Sequence, residues 1–188
     1  MATRIRTTCR AGALASALVA MLAFSAPVGA QADDESRIQR GFAIAPVPLD
    51  VHKHNPALIG LGSYLVAVGG CNDCHTNPPY LAANFAAVNS INAAAYLGGG
   101  MSFGPFVSRN ITPDKTGLPA GLTLDEFVRV IRTGIDPDQL HPQLGPFLQV
   151  MPWPGYRNMT NRDLVAIYEY LSAIPCVEGG PGEPLNRC

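Results

Sequence analysis

Cys71-Asn72-Asp73-Cys74-His75 has the spacing C-x-x-C-H, and these five residues govern how the rest of the chain is read. The pattern is that of covalent c-type haem attachment. Two thiols three residues apart can add to the two vinyl groups of one porphyrin. The next residue, a histidine, then lies under the ring, where an imidazole nitrogen can bind iron. Three other readings compete. A thioredoxin-like redox pair expects a strand-helix-strand context, and no such alternation precedes Cys71. A zinc ribbon needs a second C-x-x-C, which the sequence lacks. A local disulfide between Cys71 and Cys74 is the third.

The chain begins with features of an exported protein. Arg4, Arg6 and Arg10 form a basic region, and Ala11 to Phe24 is apolar. Small residues follow, with Val28-Gly29-Ala30 and Ala30-Gln31-Ala32 as candidate cleavage sites. Residues 1–32 are therefore expected to be a secretory signal peptide, with an uncleaved anchor as the alternative. The apolar run is short for a membrane span, and no other long one occurs, so no membrane span is expected in the mature chain. Residues 33–188 suit one domain.

Cleavage removes Cys9 and leaves Cys71, Cys74, Cys176 and Cys188. In an oxidising, periplasmic compartment all four can be used. With the first two given to haem, Cys176 and Cys188 are expected to pair and close the tail, 176–188. The full chain has a net charge of -1, but residues 1–32 hold three of the thirteen basic residues and none of the fourteen acids. The remainder carries ten basic residues against fourteen acids, a net charge of -4. That balance argues against nucleic acid as a partner.

Residues 33–55 are polar and broken by proline, and read as an extended N-terminal arm. Asn55-Pro56 looks like an N-cap and first helical residue. Leu58, Leu61, Leu65 and Val68 follow at helical spacing. Gly60 and Gly62 weaken this helix intrinsically and make sense if another helix crosses closely. The stretch from 76 to 122 is the least regular. A short helix is expected within Tyr80 to Asn92, and a loop or small hairpin from Gly98 to Thr112. Thr123-x-x-Glu126 forms a capping box, with Leu124, Phe127, Val128 and Ile131 on one face and Gly134 as the stop. Residues 136–155 contain five prolines and read as loop. Thr160-x-x-Asp163 opens the last helix, whose apolar face is Leu164, Ile167, Tyr168 and Leu171.

Iron held by His75 has a sixth position. The candidates are Met151, Met101, Met159, His141, His52 and His54. Met151 precedes Pro152 in a loop between the two clearest helices, where a stiff backbone can hold a weak thioether ligand. A His/Met pair raises the reduction potential, as suits an electron carrier. Met101 beside three glycines is second, and His141 is the imidazole rival. Met159 is expected to pack, and His52 and His54 to be solvated. Trp153 and Tyr156 are candidates to pack on the haem or bond a propionate, with a plain core role as the alternative. Arg109 and Arg157 are candidate propionate partners, with a solvated surface as the alternative.

Several stretches resemble class I bacterial cytochromes c. They are Gly60-Leu61-Gly62-Ser63-Tyr64-Leu65, Gly69 to His75, Asn110-Ile111-Thr112-Pro113-Asp114, Thr123 to Phe127, Arg132-Thr133-Gly134, and Met151-Pro152 through Leu171. The chain is most similar to the cytochrome c modules associated with periplasmic dehydrogenases of alcohols, sugars and sugar acids. The resemblance covers residues 56–175. It implies an all-α, monohaem cytochrome c fold with a long irregular insertion between the haem motif and the next helix. It also implies Cys71 and Cys74 as haem attachment points and His75 and Met151 as axial ligands. Such dehydrogenase subunits often carry three haem modules and a membrane anchor. This chain has one C-x-x-C-H and is expected to be a free carrier or a small separate subunit.

Two functional classes follow. One is a periplasmic electron-transfer protein with a single haem c. Its donor would be a dehydrogenase, and its acceptor a terminal oxidase or another cytochrome of the respiratory chain; it would not itself be an enzyme. The other is a haem enzyme or gas-binding sensor with an open or displaceable sixth site.

Overall fold

The computed structural model describes residues 28–81, 90–137, 145–179 and 187–188. Residues 1–27 of the expected signal peptide, most of the expected short helix within Tyr80 to Asn92, and His141 lie outside the described residues. The described residues are mainly helical: α1 (Val28–Ile44), α2 (Pro56–Val68), α3 (Cys71–His75), α4 (Leu124–Thr133), α5 (Trp153–Tyr156) and α6 (Asn161–Ala173). Between α3 and α4 they hold one 3-10 turn, Ala93–Ala95, and one hairpin of β1 (Ser102–Phe103) and β2 (Phe106–Val107). The hairpin is antiparallel, with Ser102 opposite Val107 and Phe103 opposite Phe106. Among the described residues no helix is long and apolar enough to cross a membrane.

Local chemistry sets the helix ends. The Asn55 side chain accepts from the N–H groups of Ala57 and Leu58, with Pro56 as the first helical residue. Thr123 and Glu126 form a reciprocal capping box at α4, and Thr160 and Asp163 do the same at α6. Each box satisfies two amide donors that a helix start leaves without partners. Gly134 ends α4 at φ 71°, the left-handed conformation that favours glycine.

The core forms where α2 crosses α6. A Cβ placed on Gly62 would lie 1.9 Å from the Ala166 carbonyl oxygen and 2.7 Å from the Tyr170 Cβ. The two backbones meet because glycine stands at the crossing. Around it Ile59, Leu61, Val66, Leu164 and Leu171 are buried, and Tyr170 is fully enclosed with its hydroxyl bonded to that of Tyr96 at 3.0 Å.

The expected extended arm is not extended throughout. Its first part, up to Ile44, is helical and packs on the other side of α2. Gly41 faces the Gly60 carbonyl so closely that an added Cβ would sit 1.8 Å from it. Ile38 and Phe42 lie against Gly60, and the Ser63 hydroxyl donates to the Gly41 carbonyl at 2.8 Å. Asp34 pairs with Arg162, tying α1 to α6. A helix that docks through a glycine seam and few large apolar side chains shows little hydrophobic periodicity, so sequence pattern misses it. From Ala45 to Asn55 the chain is neither helix nor strand, and the Asp50 N–H donates to the Ala173 carbonyl at 2.8 Å.

This second neighbour also changes the buried face of α2. Val68, placed on the apolar face by its spacing, is 63% exposed, whereas Ile59, Gly60 and Ser63 are buried. His54, expected in solvent, lies 3.2 Å from the Glu169 carboxylate on α6.

Gly62→Ala should destabilise the fold by about 3 kcal/mol, since the added methyl meets rigid backbone rather than a movable side chain. Gly155→Ala, where an added Cβ meets nothing within 4 Å, should change stability little. Denaturant unfolding of the two variants beside the wild type checks the contrast.

Candidate haem crevice

The left-handed Gly70 (φ 68°) separates α2 from α3 and turns the chain so that α3 presents Cys71, Cys74 and His75 to one apolar cavity. The same cavity is walled by Leu65 and Val66 of α2, Phe103, Phe106 and Val107 of the hairpin, Phe127, Val130 and Ile131 of α4, Leu164, Ile167 and Leu171 of α6, and Met151. Residues from α2, the hairpin, α4, the Met151 loop and α6 thus converge on the C-x-x-C-H turn.

Both thiols are free, so the local disulfide is not formed. Burial pushes the Cys71 thiol up to about 12 and raises that of Cys74, with the Asp73 charge adding to both. Among the described residues no three His, Cys, Asp or Glu side chains converge as a metal site.

His75 is held from behind. Its Nδ1 lies 2.7 Å from the backbone carbonyl of Arg109. A carbonyl only accepts, so Nδ1 carries the proton. Burial lowers the His75 pKa and favours the neutral ring. A neutral imidazole protonated on Nδ1 has its lone pair on Nε2, the state a metal ligand requires.

Arg109 does not stand in solvent. Its Nη1 donates to both carboxylate oxygens of Asp136, at 2.9 and 2.7 Å, and its Nη2 donates to the Ala120 carbonyl at 2.6 Å. The two side chains are 13% and 11% exposed. This charge-assisted pair fastens the strap behind His75, residues 109–112, to the chain just past the end of α4. Sequence reading saw Arg109 only as a propionate partner or a surface residue and did not find Asp136, 27 positions away.

Met151 lines the same cavity. The Leu148 N–H donates to the Gly134 carbonyl at 2.7 Å, and the Trp153 N–H to the Met151 carbonyl at 2.8 Å. The Trp153 indole covers Gly134 so closely that an added Cβ would lie 2.3 Å from the ring. Trp153 also stacks on Phe147, with centroids 5.7 Å apart. Its role is to seat the Met151 loop on the end of α4, and it is not part of the cavity wall. Tyr156 does line the cavity, and its hydroxyl donates to the Gly69 carbonyl at 2.7 Å. Arg157 lies 5.8 Å from the Trp153 ring centre.

Met159 packs on the core, as expected, and lines the cavity as well, whereas Met101 does not. The Met101 backbone is held outside, by Ser108.

No known protein-family profile matches the chain. No solved structure matches it. Three similar proteins are cytochrome subunits of dehydrogenases. The fructose dehydrogenase cytochrome subunit of Gluconobacter japonicus is 30% identical over 131 residues, covering 67% of this chain and 22% of that protein. The gluconate 2-dehydrogenase cytochrome c subunit of Pantoea cypripedii is 30% identical over 122 residues, 62% of this chain and 23% of that protein. The cytochrome c subunit of the quinone alcohol dehydrogenase of Gluconacetobacter polyoxogenes is 31% identical over 135 residues, 69% of this chain and 24% of that protein. The chain thus spans about a quarter of the length of these relatives.

Asp136→Ala should cost about 3 kcal/mol, because it strips a well-buried guanidinium of its carboxylate. Denaturant unfolding measures this. A cost near zero would mean that the pair is not a fastening of the strap. With its helical fold and C-x-x-C-H turn, this chain is a homologue, over about a quarter of their length, of the cytochrome subunits of fructose, gluconate and alcohol dehydrogenases.

Proposed function

We propose that this chain is a periplasmic electron-transfer protein carrying one c-type haem, bound through Cys71 and Cys74 and ligated by His75 and Met151. It receives electrons from a dehydrogenase and passes them toward the respiratory chain, to a terminal oxidase or another cytochrome. One observation carries the reading: a single apolar cavity gathers both cysteines, the adjacent histidine and the proline-flanked methionine. The names of the similar proteins support the dehydrogenase as donor.

When bound, the haem supplies a one-electron Fe(III)/Fe(II) couple. The residues present suit it. His75 offers an Nε2 lone pair, fixed by the bond from Nδ1 to the Arg109 carbonyl. Phe103, Phe106, Phe127 and Leu164 line the cavity with apolar surface and exclude water. Met151 offers a thioether from a loop whose backbone is already anchored at Gly134. A seated loop can hold a weak ligand without paying ordering entropy at each redox change.

Acid-acetone extraction of the purified protein tests the attachment: haem should stay with the polypeptide, and release into the organic phase would exclude the thioethers. The sixth ligand is tested by Met151→Ala, Met159→Ala and Met101→Ala. Only Met151→Ala should lose the weak sulfur-to-iron band, bind carbon monoxide readily when reduced, and lower the potential, since a thioether favours Fe(II). Loss of the band in Met159→Ala instead would move the ligand to the other methionine of the cavity. Rapid carbon monoxide binding by the wild type would favour an open-site enzyme or gas sensor.

A further inference from the structure

The C-terminal tail lies outside the resemblance to cytochromes, yet it touches the part of the chain that holds His75. Cys176 and Cys188 are joined by a disulfide. Val177 follows the first cysteine and Arg187 precedes the second, so the bridge keeps these two residues side by side. Both grip the same short segment. The Val177 N–H donates to the Thr112 hydroxyl at 3.1 Å, and the Val177 carbonyl accepts from the Asn110 side-chain amide at 2.8 Å. The Arg187 guanidinium donates to the Thr112 carbonyl at 2.8 Å, and the Arg187 carbonyl accepts from the Lys115 N–H at 2.8 Å.

The gripped segment is the strap behind His75. Asn110 and Thr112 are fully buried. The Asn110 oxygen accepts from the N–H of Thr112 at 3.0 Å and from its hydroxyl at 2.7 Å, which locks the turn. One residue earlier, the Arg109 carbonyl accepts the bond from His75 Nδ1. The Ile111 N–H donates to the Leu97 carbonyl at 3.0 Å, and the Leu97 N–H to the Thr76 hydroxyl at 2.9 Å, which returns the network to the residue after His75.

We propose that the disulfide-closed tail is a brace that positions His75, acting through Val177 and Arg187 on Asn110 and Thr112. The inference rests on the haem reading above and adds to it four positioning residues and a purpose for the tail. A carbonyl held in place makes a firm hydrogen bond to Nδ1, and that bond makes the imidazole a stronger electron donor to a metal. A stronger donor favours Fe(III). Releasing the brace weakens the bond, favours Fe(II), and raises the potential without removing either axial ligand.

The test uses the full-length protein with its haem, as wild type, as Arg187→Ala, as Arg187→Lys, and as Cys176→Ser combined with Cys188→Ser. Spectroelectrochemical titration reads the midpoint, and the low-spin spectrum verifies that both ligands remain. In Arg187→Ala and in the double serine variant the Fe(II) to Fe(III) ratio at fixed ambient potential should rise about threefold, roughly +28 mV at 59 mV per tenfold. Arg187→Lys, which keeps a donor for the Thr112 carbonyl, should recover part of that shift. Arg187→Ala keeps the disulfide, so the measurement stands even if the serine variant folds poorly. A native spectrum with unmoved or lowered midpoints, whatever the loss of thermal stability, overturns the brace. Haem that extracts from the wild type would instead overturn the haem reading on which the brace rests.

Discussion

Everything in this molecule hangs on the close approach of α2 and α6 at Gly62, where the backbone of one helix meets the Ala166 carbonyl of the other. The crossing fixes the direction in which α2 delivers Gly69, Gly70 and α3. It also fixes where α6 begins, and therefore where the Met151 loop must land. The two ends of the cavity are thus set by a single contact between helices about a hundred residues apart. Glycine is intrinsically unfavourable in a helix by about 1 kcal/mol relative to alanine. Here that cost is offset by dispersion and apolar burial among Ile59, Val66, Leu164 and Leu171, which come within reach only when the backbones do.

The third wall, made by residues 97–112, has little regular structure, so hydrogen bonds from three directions do the work that packing does elsewhere. His75 and Thr76 hold it from the front, Asp136 from the side, and the tail from behind. Asn110 and Thr112, the fully buried polar side chains of this wall, each meet a partner, as a low-dielectric interior demands. Asn110 illustrates the economy: its oxygen closes the turn while its amide reaches the tail. A buried amide anchored at both ends leaves little freedom for the Arg109 carbonyl one residue earlier.

What the sequence made legible was local. The Asn55-Pro56 start, both capping boxes and the left-handed Gly134 are interactions within a few residues, and each lies where its chemistry placed it. The demand for a close neighbour at Gly60 and Gly62 was also correct, but the neighbours are two helices, one on each side. That is why Val68 was assigned inward and stands outward. The N-terminal helix was illegible because its docking depends on the absence of side chains at Gly41 and Gly60. The Arg109–Asp136 and His54–Glu169 pairs join residues far apart in sequence, and no local pattern announces such partners. Of the candidate site, C-x-x-C-H named Cys71, Cys74 and His75 outright. Met151 was reached from Pro152 and the loop, and it lines the cavity together with Met159, which packs on the core as its position suggested.

The contrast between the two sides of the cavity has a physical logic of its own. The histidine side is a mesh of hydrogen bonds, several of them buried. The methionine side relies on shape: an indole over a glycine, a stacked phenylalanine, and prolines at 146, 152 and 154 that restrict the backbone. Imidazole has a second nitrogen that a hydrogen bond can steer, so a polar mesh can orient it. A thioether has no donor and accepts only weakly, so no mesh can orient it. Its position has to come from a backbone that is already ordered. The Leu148 bond to Gly134 and the Trp153 cover provide that order at the one place where α4 stops. The left-handed glycine that ends α4 therefore does more than terminate a helix. It offers both a free carbonyl and a bare Cα for the loop to sit on, and no residue with a Cβ can offer the second.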